Sequence, residues 1–229
     1  VVKEGRLYGR GSGDNKSGVV VHYNVVKKLL EDLPVNIRIF IEGEEEIGSP
    51  TMSDFIEQNR EALEADVIVI ADSANVKIGV PTITTTLRGL VDGFIEVNQP
   101  MRPVHSGMGG GIVPDAFMVL SKIIASFHDD EGNLKIEGLT PTDMNVAELD
   151  ESYTKKMLGS DNISLFDAES ISKRLWLEPA LDVLAIDAPP VDEAVNLVIP
   201  KAKAKVSLRL PPTEDPDHAM KMLEEHVMK

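Results

Sequence analysis

The sequence contains no cysteine, and that one absence excludes disulfides, thiolate zinc ligands and cysteine nucleophiles together. It fits an intracellular, cytoplasmic protein. Aromatic residues make up 4% of the chain, too few for the stacking platform that single-stranded nucleic acid needs. Positive charge is also short: 23 Lys and Arg stand against 38 Asp and Glu, for a net charge of −15. No basic cluster offsets it, which argues against nucleic acid as a partner. No apolar run reaches the roughly 20 residues of a membrane span, so no membrane partner is expected. The opening Val1-Val2-Lys3-Glu4-Gly5 lacks a signal-peptide pattern. What is present is an ordinary 42% of hydrophobic residues over 229 positions, enough for one large domain or two modest ones.

The most unusual stretch is Ile39-Phe40-Ile41-Glu42-Gly43-Glu44-Glu45-Glu46-Ile47-Gly48-Ser49-Pro50. An apolar run ends in four carboxylates within five positions. Packed acids at the end of a buried strand repel one another, so either full exposure to water or a bound cation must compensate. A solvated acidic turn is the plain alternative. Two other stretches favour the cation. Gly9-Arg10-Gly11-Ser12-Gly13-Asp14-Asn15-Lys16-Ser17-Gly18 precedes it and Val67-Ile68-Val69-Ile70-Ala71-Asp72-Ser73 follows it, each bringing an acid to the edge of an expected sheet. Three acids at one edge suggest a hard or borderline divalent metal.

The periodicity predicts a helix over residues 17–30, a strand over 35–41, a helix over 49–63 with Pro50 at its start, and a strand over 67–71. Asp14 then lies just before a helix N-terminus, in a loop whose glycines let backbone approach a ligand closely. A phosphate loop is disfavoured there, because the Gly-x4-Gly-Lys spacing is missing and an Asp would repel phosphate. The alternation of strands and helices predicts a parallel sheet, with ligands beyond the strands' carboxyl ends. After Pro81 the pattern changes. Residues 82–89 and 90–97 alternate as antiparallel strands do, and a glycine-rich loop (105–111) leads to a helix over 114–128. A polar excursion with helices spans 141–175, followed by strands at 181–186 and 202–210 and a helix over 216–228. The expected fold is therefore α/β in two parts. A partial doubly wound, mostly parallel sheet covers residues 1–80, and an α+β, ferredoxin-like unit of split β-α-β type covers 81–229.

Leu7-Tyr8-Gly9-Arg10-Gly11-Ser12-Gly13-Asp14-Asn15-Lys16, the stretch from Glu42 to Ser49, Ile70-Ala71-Asp72-Ser73, Pro103-Val104-His105-Ser106-Gly107 and Arg174-Leu175-Trp176 with Pro179-Ala180-Leu181-Asp182 together resemble the M20 family. These are zinc-dependent dipeptidases, carboxypeptidases and acyl-amino-acid deacylases, and the dipeptidase branch is the most similar. The resemblance implies two zinc ions, with manganese or cobalt as substitutes. It implies that Asp14 bridges the metals, that Glu46 and Asp72 ligate one each, and that Glu45 is the general base for a metal-activated water. It implies that His105, on a lid and dimerisation domain, reaches a partner's site in a homodimer and stabilises an oxyanion. It implies that Arg209 holds the substrate's terminal carboxylate. Without the family, His105 reads as an ordinary loop residue and Arg209 as an exposed strand residue.

The family pattern also has a His-x-Asp motif before the glycine-rich turn and a ligand His beyond the lid, and neither is in this sequence. The chain is therefore expected to be an internal fragment holding the lid essentially whole and only part of the catalytic domain. Such a fragment is expected to bind zinc weakly and be inactive, since borderline ions favour nitrogen donors. Residues 1–80 are expected to self-associate or be partly disordered. The leading function is hydrolysis of a dipeptide or short peptide. An amidohydrolase acting on N-acyl amino acids and a non-catalytic dimerisation or binding module are the alternatives.

Overall fold

The computed structural model describes residues 1–229 apart from 74 and 78. The chain divides into two compact units, Val1–Thr82 and Ile83–Lys229.

The first unit opens with a hairpin of β1 (Val2–Lys3) and β2 (Arg6–Leu7), turning through Glu4 and Gly5 at positive φ. Helix α1 (Lys16–Leu29) starts where Asn15 caps it, its side-chain oxygen accepting from the Gly18 N–H at 2.9 Å. Lys27 and Lys28 lie in the last turn, where cations suit the helix dipole. The single helix expected over 49–63 is two, α2 (Met52–Gln58) and α3 (Arg60–Leu63). The break is Asn59, whose amide donates to the Phe55 carbonyl at 2.8 Å and competes with the helical backbone.

The parallel sheet expected here is not formed among the described residues. Among the described residues, 35–41 and 67–71 belong to no ladder and make no backbone–backbone hydrogen bonds. The side chains of residues 67–70 are 72–79% exposed. A strand is stable only beside another strand roughly 4.8 Å away, and β-forming composition does not supply the neighbour. The same lack leaves Val20, Tyr23 and Leu29 of α1 exposed, and Gly18 is the one buried position among the described residues of this unit. The stacked rings of Phe40 and Phe55, with centroids 5.4 Å apart, are a local apolar contact. Amides of residues 35–41 and 67–70 should therefore exchange with deuterium within about tenfold of the unstructured rate, while those of the second unit's central strand stay protected. Strong protection of 67–70 in the isolated chain would contradict this.

The second unit is built on three antiparallel strands. In chain order its elements are β3 (Gly89–Asn98), β4 (Val104–His105), α4 (Ser106–Gly109), α5 (Ala116–Ser126), α6 (Glu151–Met157), α7 (Ile171–Trp176), β5 (Ala180–Asp187), β6 (Leu197–Val198), β7 (Lys201–Leu210) and α8 (Pro216–Val227). β7 is central, paired along its length with β3 and with β5, and β4 pairs with β6 in a separate two-residue ladder. The two strands expected over 82–97 are one, because pairing with β7 begins only at Gly89, opposite Leu210. The alternation read in 202–210 is realised on its apolar side, while Ser207, expected on the polar side, is buried as well. Ala202, Ala204, Val206, Leu208 and Leu210 are buried, while Arg209 faces out. Helix α5 packs on β3 and β7, and α8 packs on β3. Together they enclose Ile95, Ala116, Leu120, Leu181, Ala219 and Leu223 with the apolar face of β7.

Asp115, Asp150, Ser170 and Asp215 cap α5, α6, α7 and α8 through side-chain oxygens. The polar excursion between α5 and β5 is tied down by Arg174. Its guanidinium donates to the carbonyls of Gly132 (2.8 Å) and Asp167 (2.9 Å) and lies over the Phe166 ring. No helix among the described residues is long and apolar enough to cross a membrane.

Candidate metal centre

The acidic turn sorts its carboxylates. A short 3-10 turn spans Glu45–Ile47, and Gly48 leaves it at φ 83°, a left-handed conformation that glycine adopts without strain. Glu42 and Glu44 are half-buried and bound back into the turn. Glu42 accepts from the Ser49 hydroxyl, and Glu44 accepts from both the hydroxyl (2.7 Å) and the N–H (3.2 Å) of Thr51. Glu45 and Glu46 are exposed, and among the described residues neither side chain has a hydrogen-bond partner. One turn thus provides two acids that hold its shape and two that remain free.

Asn15 joins the glycine-rich turn to the 67–71 segment. Its amide donates to the Ala71 carbonyl (2.8 Å) and to Asp72 Oδ1 (2.7 Å), while its oxygen caps α1. The approach is close. Gly18 is buried, and a Cβ there would run into the Ala71 carbonyl oxygen and the Asn15 side chain. Asp14, one residue before this junction, is exposed, and Asp72 has one oxygen engaged.

The Glu46 carboxylate foremost, then slight desolvation, then Asp72, Asp14 and Glu42 hold the Glu45 carboxyl above the ordinary carboxylate range. Glu46, Asp72 and Asp14 thus each act on Glu45 by charge. They are not drawn into a ligating set, since among the described residues no group of three His, Cys, Asp or Glu side chains is placed to hold a metal ion. The donor chemistry agrees. The first unit's one imidazole, His22, is half-buried on α1, and carboxylates alone suit a hard cation better than zinc. The carboxylates present fit a share of a divalent-cation site and fall short of a complete zinc site.

In the second unit, His105 accepts at Nδ1 from the Gly107 N–H (3.0 Å), which leaves the proton of the neutral ring on Nε2 as a donor. Arg209 lies on the outer face of β7, opposite Leu90 and Ala180. His128 and His226 are half-buried, and His226 contacts the Ser126 hydroxyl at 2.9 Å. Asn15 is the residue that the sequence reading missed. An Asn directly before a helical pattern is a legible cap signal, but its reach to Asp72 is a tertiary fact with no local signature.

An acidic turn with two free carboxylates and a glycine-rich helix entrance, in a two-unit α/β chain, are features that a metallohydrolase would present. The chain belongs to peptidase family M20/M25/M40, whose pattern it matches over residues 1–227. It is 34% identical, over 98% of its length, to a cysteinylglycine-S-conjugate dipeptidase of Corynebacterium striatum, and covers 51% of that protein. All of the chain superposes on 55% of an M20 family metallo-carboxypeptidase from Sulfolobus solfataricus, with a TM-score of 0.76 and 28% identity. All of it likewise superposes on 51% of human carnosine dipeptidase 1, with a TM-score of 0.75 and 30% identity. The chain spans about half the length of the curated relatives it matches.

Proposed function

We propose that the whole protein is a divalent-metal-dependent hydrolase that cleaves the peptide bond of dipeptides or other short peptides. The observation that carries this is the match to peptidase family M20/M25/M40 over residues 1–227, and the acidic surroundings that raise the Glu45 carboxyl go with it. The names of the relatives, dipeptidases of cysteinylglycine conjugates and of β-Ala-His, support the substrate class.

In this reading Asp14, Glu46 and Asp72 contribute carboxylates to a pair of zinc ions, with manganese or cobalt as substitutes. Bound divalent cations acidify water and polarise the scissile carbonyl. Glu45 takes the proton from the attacking water and passes it to the leaving amine, a task for which a carboxyl shifted above its usual range is better matched. Asn15 positions Asp72 through its hydrogen bond. In a homodimer His105, with its donor on Nε2, reaches the partner's site and stabilises the developing oxyanion there, and Arg209 receives the substrate's carboxylate.

Residues 1–80 are then the metal-binding part of a doubly wound catalytic domain. Their apolar, extended segments 35–41 and 67–71 complete ladders with the remainder of the whole protein. Residues 81–229 form a ferredoxin-like lid that dimerises, a role for which β3 and β5, each with one unpaired edge, are suited. A cytoplasmic setting goes with this reading.

The test is a substrate panel on the whole protein with and without divalent metal. Metal-dependent release of amino acids from dipeptides, with N-acyl amino acids hydrolysed far more slowly, is the expected result. Preference for N-acyl amino acids would overturn the peptidase assignment. No hydrolysis of either would favour a binding module.

A further inference from the structure

Strand β5 leaves the second unit's sheet early. Its last pair with β7 joins Asp187 to Lys203, so Lys201, where β7 begins, has Asn98 of β3 opposite it and no residue of β5. The cause is local. Pro189 and Pro190 follow almost at once, and neither has an N–H to add to a ladder. Antiparallel pairs alternate between bonded and unbonded, and the Gln99 N–H donates to the Pro200 carbonyl at 2.7 Å. The next residue, Lys201, therefore turns its own N–H and carbonyl away from β3, toward the side that β5 has vacated.

A cavity of about 370 Å³ occupies this corner. Its apolar walls are Phe117 from the first turn of α5, Ile186 near the end of β5, Pro189 and Ile199, and its charged lining is Asp187 and Lys201. The Ala116 N–H donates to the Ile199 carbonyl at 3.2 Å, which ties α5 to the wall. The two charges do not neutralise each other, and neither forms an ion pair among the described residues. The ladder sets Asp187 opposite Lys203, but that lysine sits over the Phe94 ring, its Nζ 4.3 Å from the centroid. An unpaired anion and an unpaired cation lining one apolar cavity, with a backbone donor and acceptor beside the cation, match a zwitterion with an apolar body.

We propose that this corner binds a free α-amino acid with an apolar side chain. Asp187 takes the ammonium, Lys201 the carboxylate, and Phe117, Ile186, Pro189 and Ile199 enclose the side chain. The cavity volume lies within the range of small-molecule sites and admits an amino acid of leucine size. Apolar amino acids are also what dipeptide hydrolysis would release. That link rests on the hydrolase reading, whereas binding needs neither metal nor catalysis.

The experiment titrates the isotope-labelled chain with leucine, N-acetyl-leucine, leucine amide and glycine, all without metal, and follows backbone amide resonances. Leucine should shift Asp187, Ala188 and Lys201 saturably. The acetyl compound lacks the ammonium, the amide lacks the carboxylate and glycine lacks the side chain, so each should bind at least about tenfold more weakly. Lys201→Gln and Asp187→Asn should each weaken leucine binding about tenfold, the scale of one charge-assisted contact, and Lys201→Arg should keep most of it. Both residues are exposed, and the amide spectra report whether each variant stays folded. If Lys201→Gln does not, Asp187→Asn carries the comparison. No saturable shift at about 10 mM leucine would overturn the proposal, since a site of even millimolar affinity is then mostly filled. So would N-acetyl-leucine binding as tightly as leucine, or unchanged affinity in both variants. Glu45→Gln must leave this binding intact, so failure of the hydrolase reading and failure of this site are separate results.

Discussion

Glu45→Gln is expected to lower kcat for dipeptide hydrolysis by the whole protein about a hundred- to ten-thousandfold, the range for losing a general base. Metal content should not change. The reason lies in how the turn is constructed. Glutamine matches glutamate in shape but cannot accept a proton at the working pH. Because the Glu45 side chain is exposed and has no hydrogen-bond partner among the described residues, the exchange leaves the fold intact. Its neighbours serve as internal controls. Glu46→Gln should reduce metal content together with rate. Glu42→Gln and Glu44→Gln, at positions bound to Ser49 and Thr51, should act through the shape of the turn and change both quantities only modestly. Metal analysis beside kcat and KM separates the cases. Wild-type kcat in Glu45→Gln would remove the base assignment, and loss of metal in that variant would make Glu45 a ligand instead.

The acids of the candidate site were legible in the sequence because each follows directly from local punctuation. An apolar run that stops at a carboxylate, or a glycine-rich turn that opens a helix, can be read without knowing what packs on it. The second unit's sheet was legible for a similar reason: Val206, Leu208 and Leu210 alternate with polar residues, and the structure buries them at the same period. Long-range pairing was not legible. Residues 35–41 and 67–71 have the composition of buried strands, yet no local property states which backbone pairs with them, and among the described residues none does. Helix 49–63 failed at Asn59, where a single side-chain amide competes for a backbone carbonyl. The division of labour among Glu42, Glu44, Glu45 and Glu46 was invisible for the same reason. It depends on which of them Ser49 and Thr51 reach.

Burial is concentrated in the second unit, and so should stability be. Leu208 is fully buried at the middle of the sheet, opposite Val91 on β3 and Leu181 on β5. Leu208→Ala removes its side chain between two flanking strands that cannot close the gap without breaking ladder hydrogen bonds. The expected loss is about 2–5 kcal/mol, which lowers the urea midpoint of this unit by roughly 1–2 M. Leu90→Ala is the matched control, on the same sheet but on its outer face and 45% exposed, and should cost under about 1 kcal/mol. The first unit, with no buried apolar side chain among its described residues, should lose structure at lower denaturant and be indifferent to either change. Urea titrations followed by the Trp176 signal, which reports the second unit, and by hydrogen exchange, which reports both, check the separation. Equal costs for the two leucines would mean that the inner face of β7 is not the core. A first unit that melts with the second would mean that the two share stabilising contacts.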